Sequence, residues 1–393
     1  MTETTKQQVL FPTYARTPVA FVKGEGSRLW DEQGKAYLDF VSGLAVTNLG
    51  HCHPAVKAAL HEQVDQLWHV SNLYQVPQQE KLAQKLIEIS DADRVFFCNS
   101  GAEANEAAIK LARKYHQNVL QTGRNEIVTF EQSFHGRTLA TLTATGQDKV
   151  KDGFHPLPAG FVYSPYNDLD ALASKISDRT CAIMLEMVQG EGGVNPAEPS
   201  FVQGVAELCR EHGILMIVDE IQTGIGRTGK WFAYQHYGIE PDIVTVAKGL
   251  GNGFPIGAML GKAHLAEAFG PGSHATTFGG TPIASSVGLA VLETMDQQQL
   301  IDRVADLGSR LLSRLQERYG GRKDVLEIRG KGLLIGIQFD HAVADYIQQA
   351  REKGLLVVQA GPNVLRLLPN FLVTETELDE AMTILEQVLG TEK

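Results

Sequence analysis

Two short apolar runs constrain this chain more than any other feature: Ile214-Leu215-Met216-Ile217-Val218, closed by Asp219, and Ile243-Val244-Thr245-Val246-Ala247, closed by Lys248. Aliphatic and β-branched runs of this length read as central strands of a parallel sheet, buried on both faces. The carboxyl ends of such strands meet ligands along one edge of an open α/β sheet. From Arg94 to Leu260 the chain keeps this rhythm. Strands are expected at 94–99, 126–130, 181–188, 214–220, 243–247 and 258–261, with apolar residues at helical spacing between them, as in 102–115 and 201–211.

At 393 residues the chain exceeds the roughly 250 to 300 residues at which single cores stop growing, so a large and a small domain are expected. The α/β large domain is placed at 56–280. The smaller α+β domain would combine 1–55, with short strands at 20–23, 27–31 and 36–40, and 281–393, with two helical segments through 318, strands within 325–339 and 355–368, and a last amphipathic helix at 374–389. The formal charge of −11 disfavours nucleic acid as a partner. Cys52, Cys98, Cys181 and Cys209 form no Cys-x-x-Cys pair, which fits a reducing cytoplasm and neither a zinc site nor a disulfide framework. His51-Cys52-His53-Pro54 has no spaced partner cluster, so no metal is expected there. Residues 1–8 are polar, unlike a secretory signal, and no apolar run has the length to span a bilayer.

A lysine amine and a carboxylate at one sheet edge have a specific chemical use. The amine can condense with an aldehyde, and a carboxylate beside a pyridine nitrogen keeps that ring protonated and able to draw electrons from a substrate carbon, as a pyridoxal phosphate enzyme needs. Lys248 and Asp219 are also compatible with a solvent ion pair at strand ends. Ser100, Gly101 and Ala102 open an alanine-rich helix whose free amides can bind a phosphate, or Ser100 simply caps it. Phe134 can stack on a planar ring and Arg137 can grip a carboxylate, where the alternative is a buried Phe and a surface Arg in a loop. Glu186 and Glu191 flank the turn into a glycine-rich loop, which reads as a site or as a solvated acidic turn. Gln222, three residues past Asp219, is placed to bond a phenolic oxygen. Thr276 and Thr277 can reach a phosphate or cap the following helix. Arg366, in an apolar strand, needs an anionic partner, substrate or structural.

In order and spacing these motifs resemble those of the class III pyridoxal phosphate aminotransferases, most closely the acetylornithine aminotransferases. The resemblance runs from Leu49-Gly50-His51-Cys52-His53-Pro54, through Val218-Asp219-Glu220-Ile221-Gln222-Thr223-Gly224-Ile225-Gly226-Arg227-Thr228-Gly229-Lys230 and Pro241 to Leu250, to Arg366-Leu367-Leu368-Pro369. It implies a fold type I architecture, bound pyridoxal 5'-phosphate, and a homodimer with active sites at the interface. By the same resemblance Lys248 would carry the cofactor and shuttle a proton, and Asp219 would hold the pyridinium nitrogen. Gln222 would serve the phenolic side, Phe134 would cover the ring, and Ser100, Gly101 and Ala102 would bind the phosphate. Thr277 would reach the phosphate of the other subunit and Thr276 would touch the amino donor. Arg137 would bind the α-carboxylate of N-acetylornithine, and Arg137 with Arg366 the two carboxylates of 2-oxoglutarate. Glu191 would pair with Arg366 while the donor brings no carboxylate there.

A transferase in arginine synthesis is therefore expected. Leu44 stands where ornithine aminotransferases place a tyrosine, which disfavours free ornithine and leaves 4-aminobutyrate and succinylornithine open as alternative donors. Arg137 counts against an aminomutase. Retention of Lys248, Asp219, Gln222, Arg137 and Arg366 together counts against a non-catalytic binding protein.

Overall fold

The computed structural model describes residues 9–390. Its central sheet has seven strands, in the order Arg94–Cys98, Gly257–Gly261, Ile243–Val246, Leu215–Asp219, Thr180–Leu185, Glu126–Phe130 and Phe161–Ser164. All neighbours are parallel except Gly257–Gly261, which runs antiparallel to both strands beside it. Leu215–Asp219 and Ile243–Val246 are adjacent and buried throughout, as their unbroken apolar character requires. The helix Gly101–Lys114 presents Ala104, Ala107, Ala108 and Ala112 to the interior, and these small side chains let it lie close to the sheet. The architecture is the α/β one expected, with a mainly parallel sheet.

Some elements escape the sequence patterns. Phe161–Ser164 is a four-residue edge strand, too short to show alternation. The run 181–188 is not one strand. It stops at Leu185, and Val188–Gln189 turns aside to pair with Asn195–Pro196. The helix Ala344–Glu352 buries only Ala350, too thin an apolar stripe for periodicity to reveal.

Segments toward the two ends of the described residues pair in one sheet. Phe21–Glu25, Arg28–Asp31 and Ala36–Asp39 form a sheet completed by Leu355–Leu356, with Leu38 opposite Leu355 in a parallel pair. A second four-stranded sheet orders Val325–Lys331, Leu334–Phe339, Val364–Leu367 and Val358–Gln359. Among the described residues no helix is long and apolar enough to cross a membrane.

One buried guanidinium ties these parts to the turn that follows Asp219. Arg227 is fully buried, and its Nη1 donates to the carbonyls of Leu333 at 3.0 Å and Pro369 at 2.6 Å. Its Nη2 donates to Asn48 Oδ1, and Asn48 donates in turn to the Ile225 carbonyl at 3.0 Å. Burial pulls the pKa of this arginine down to about 9. Arg227→Ala deletes three charge-assisted hydrogen bonds and leaves buried carbonyls unpaired. We expect it to cost roughly 3–5 kcal/mol, read as a fall in the urea midpoint at unchanged slope. A loss below about 1 kcal/mol would contradict the tie.

Candidate active site

A cavity of about 410 Å³ opens beside the ends of the two central strands. Ser100, Gly101, Ala102, Phe134, Arg137, Glu191, Asp219, Gln222 and Lys248 all line it, so residues spread over 149 positions of sequence, 100 to 248, converge on one space. Arg366, Thr276 and Thr277 do not.

Asp219 is the most tightly held of the set. Its Oδ1 accepts from the Ile221 amide at 3.0 Å, and its Oδ2 accepts from Asn105 Nδ2 at 2.8 Å and lies 2.8 Å from His135 Nδ1. Asn105 is fixed by donating to the His135 carbonyl at 2.7 Å and accepting from Thr245 Oγ1 at 2.7 Å. Asn105, His135 and Thr245 were not singled out from the sequence. The available signal was Asn105 itself, a polar residue on the buried face of an alanine-rich helix.

Lys248 lies two residues past the end of the adjacent strand and adopts φ of +44°, a conformation uncommon for residues other than glycine. Among the described residues no side chain hydrogen-bonds its amine. Burial lowers its pKa from the ordinary lysine value, opposed by the charge of Glu191 and, more weakly, of Asp219 and Glu186. A neutral, nucleophilic amine is thereby favoured.

On another wall Ser100 caps the helix Gly101–Lys114, its hydroxyl accepting from the Glu103 amide at 3.2 Å. The capping function is thus realised, and it leaves the first-turn amides of Gly101 and Ala102 without intrahelical acceptors. A Cβ on Gly101 would come within 2.8 Å of the Ile221 side chain, so the helix start fits here only as glycine. Phe134 is half-buried, and the exposed Arg137 guanidinium sits 5.6 Å from its ring centroid.

Arg366 is fully buried behind the cavity wall. Its Nη1 donates to the Gly190 carbonyl at 2.8 Å, Glu191 Oε1 at 2.7 Å and Gln222 Oε1 at 3.0 Å, while its Nε and Nη2 have no partner among the described residues. Gln222 Nε2 also donates to Glu191 at 3.2 Å. Burial pushes the Glu191 carboxyl up, but Arg366 outweighs it and the net shift is downward, so Glu191 is held ionised. Thr276 does not line the cavity but touches its wall, its Oγ1 accepting from the Gly279 amide and from Nδ2 of the lining residue Asn99 at 3.3 Å, and Thr277 lines a separate small recess with His69 and Asn72. Neither caps the next helix, Pro282–Gln297, whose cap is Thr281.

A half-buried lysine whose amine has no side-chain hydrogen-bond partner among the described residues, a rigidly held carboxylate, free helix amides and the flat apolar face of Phe134 surround one space. That donor set fits pyridoxal 5'-phosphate, an aldehyde carrying a pyridine nitrogen and a phosphate. Among the described residues no group of three or more His, Cys, Asp or Glu is arranged to hold a metal ion.

Comparison with known proteins agrees with this chemistry. A family model described as aminotransferase class-III matches residues 11–389. The acetylornithine aminotransferase of Halalkalibacterium halodurans is 58% identical over 380 residues, covering 97% of both chains. Among solved structures, the ornithine aminotransferase of Toxoplasma gondii, described with partial PLP occupancy at its active site, superposes with a TM-score of 0.93 at 34% identity, covering 98% of this chain and 93% of that one. The N-acetylornithine aminotransferase of Stenotrophomonas maltophilia K279a superposes with a TM-score of 0.82 at 37% identity, covering 96% of each.

Glu186 also lines the cavity and accepts from the Phe134 amide at 3.1 Å. Burial, with the neighbouring charge of Asp219, pushes its carboxyl well above the usual carboxylate range. A raised carboxyl stabilises the fold fully below its unfolded pKa near 4.5, and that contribution is lost as pH rises toward the native value. Glu186→Gln, which cannot ionise, should therefore gain stability relative to wild type as pH rises above 4.5, by up to about 1.4 kcal/mol per pH unit. Denaturant unfolding across neutral and alkaline pH measures this, and parallel curves would refute it.

Proposed function

The chain belongs to the class-III aminotransferases, and on that footing we propose that it transfers the δ-amino group of N2-acetyl-L-ornithine to 2-oxoglutarate. The products are N-acetyl-L-glutamate 5-semialdehyde and L-glutamate, and the reaction is a step of arginine synthesis. The observation that carries this reading is the 58% identity, across nearly the whole of both chains, to a protein named for that activity.

Pyridoxal 5'-phosphate, when bound, supplies a sink for the electrons left at the substrate carbon. The amides of Gly101 and Ala102, with Ser100, would hold its phosphate, Phe134 would cover its ring, and Gln222 would serve its phenolic side. Asp219, kept in aim by Asn105 and His135, would hold the ring nitrogen. Lys248 Nζ would hold the aldehyde end and would be the base that moves the proton at the δ-carbon of the donor. Arg137, exposed at the cavity and free of an acidic partner among the described residues, takes the donor's α-carboxylate. Glu191 neutralises Arg366 during that half-reaction. When 2-oxoglutarate enters, Glu191 yields and the unpaired Nε and Nη2 of Arg366 accept the second carboxylate.

The active unit is a homodimer in the cytoplasm, with Thr277 serving the phosphate of the other subunit and Thr276 touching the donor. Trp68, Leu73, Tyr74 and Phe278 support a partner there. All four are large, apolar and more than 60% exposed, and Phe278 adjoins Thr277. The four cysteines are free, in keeping with a reducing compartment.

Single-turnover absorbance of the cofactor-loaded protein, mixed with N-acetyl-L-ornithine, L-ornithine or 4-aminobutyrate in the absence of keto acid, tests the donor. N-acetylornithine should react fastest, and a faster reaction with another donor overturns the substrate assignment. Lys248→Ala should stay folded and lose turnover by roughly a thousandfold or more, so near-normal turnover would overturn the role of Lys248. Glu191→Ala should lower the donor rate ratio of N-acetylornithine to L-glutamate. An unchanged ratio would remove the switch.

A further inference from the structure

The loop that carries Glu191 is gripped at both ends by arginines from one sheet. Arg329 lies opposite Gly336, and Gly336 lies opposite Arg366, so the three residues form one row across three antiparallel strands with their side chains on the same face. Arg366 holds the first end of the loop, through the Gly190 carbonyl and Glu191. Arg329 holds the far end. Its Nε donates to the Val194 carbonyl at 2.9 Å, and its Nη2 donates to the Gly193 carbonyl at 2.7 Å and Asn195 Oδ1 at 2.8 Å. Between the two arginines Val194, fully buried, sits on Gly336, where a Cβ would lie 2.9 Å from the Val194 Cβ.

The loop does not hold this shape unaided. Val194 has φ of +55°, which is strained for a β-branched side chain, and Gly193 has φ of +127°. A guanidinium bonded to both their carbonyls supplies the restraint. Arg329 is itself steadied by Glu327, whose Oε2 lies 2.6 Å from Nη1, and its side chain is only 13% exposed.

We propose that Arg329 is a positioning residue for substrate discrimination: it fixes the far end of the Glu191 loop so that Glu191 can leave Arg366 for a dicarboxylate and return for a donor that has none there. This rests on the switch reading of Glu191 given above. Arg366 must exchange its partners between half-reactions, whereas the bonds of Arg329 to backbone carbonyls are independent of substrate. With the anchor gone, Glu191 covers Arg366 less often, and the donor lacking a second carboxylate suffers while L-glutamate does not.

The test compares holoenzymes of wild type, Arg329→Ala, Gly336→Ala and Glu191→Ala. Half-reaction rates with N-acetylornithine and with L-glutamate are measured separately, and hydrogen exchange is followed over the peptide spanning 188–196. Gly336→Ala leaves Arg329 in place but presses on Val194, and it stands in if Arg329→Ala fails to fold. Arg329→Ala should lower the rate ratio of N-acetylornithine to glutamate by about ten- to a hundredfold, a scale ordinary for an ångström-sized misplacement, and should speed exchange in the loop. Gly336→Ala should move both readouts in the same direction. A parallel loss of both half-reactions, or an unchanged ratio, overturns the proposal and leaves Arg329 a structural residue. If Glu191→Ala shifts the ratio and neither other variant does, the anchor fails and the switch stands. If Glu191→Ala leaves the ratio unchanged, both fall.

Discussion

Asp219 lies opposite Thr245 in the parallel register of two buried strands, and Lys248 follows three residues beyond Thr245. That pairing brings a carboxylate and an amine to the same sheet edge, and the site depends on it. A slip of one residue would turn every side chain of Leu215–Asp219 to the opposite face, taking Asp219 away from Asn105 and His135. Because both strands are buried on both faces, burial alone would not distinguish registers, and the bonds of Asp219 to Asn105 and His135 and of Thr245 to Asn105 mark the observed one.

Bringing charges into such a place is costly, and the structure meets that cost differently at each group. Glu191 is paired with Arg366, which holds the carboxylate ionised. Among the described residues Glu186 has no cation bonded to it, and burial drives it toward its neutral form. Among the same residues Lys248 has no side-chain hydrogen-bond partner, and burial moves it toward the free amine. Arg366 keeps two guanidinium nitrogens with no acceptor among the described residues, and buried donors left without acceptors cost stability. Burial, outweighed at Glu191 by the charge of Arg366, therefore moves these groups in different directions.

The second sheet contributes to the site through geometry. Its strands carry both arginines that hold the Glu191 loop, and Arg227 ties the same region to the turn after Asp219 through Leu333 and Pro369. Strain at Val194 and at Lys248 is tolerated because neighbouring hydrogen bonds and packing over-determine the backbone at those positions.

Local pattern was enough to determine much of this molecule. Unbroken apolar runs located Leu215–Asp219 and Ile243–Val246 to within one residue, because burial on both faces leaves a mark that neighbours cannot erase. The Ser100 cap was equally legible, since one hydroxyl acting on the next turn is a local event. Four-residue edge strands, the turn after Leu185 and the thinly buried helix Ala344–Glu352 were not legible, because their stability comes from contacts that periodicity does not encode. The chemistry of Arg366 called for an anion without saying which, and only the family resemblance named Glu191, 175 positions away, which the structure places on it. Asn105 and His135 for Asp219, and Arg329 for the loop, came from tertiary structure alone. These hydrogen bonds join residues that only the packed chain brings within reach, so neither periodicity nor spacing contains them.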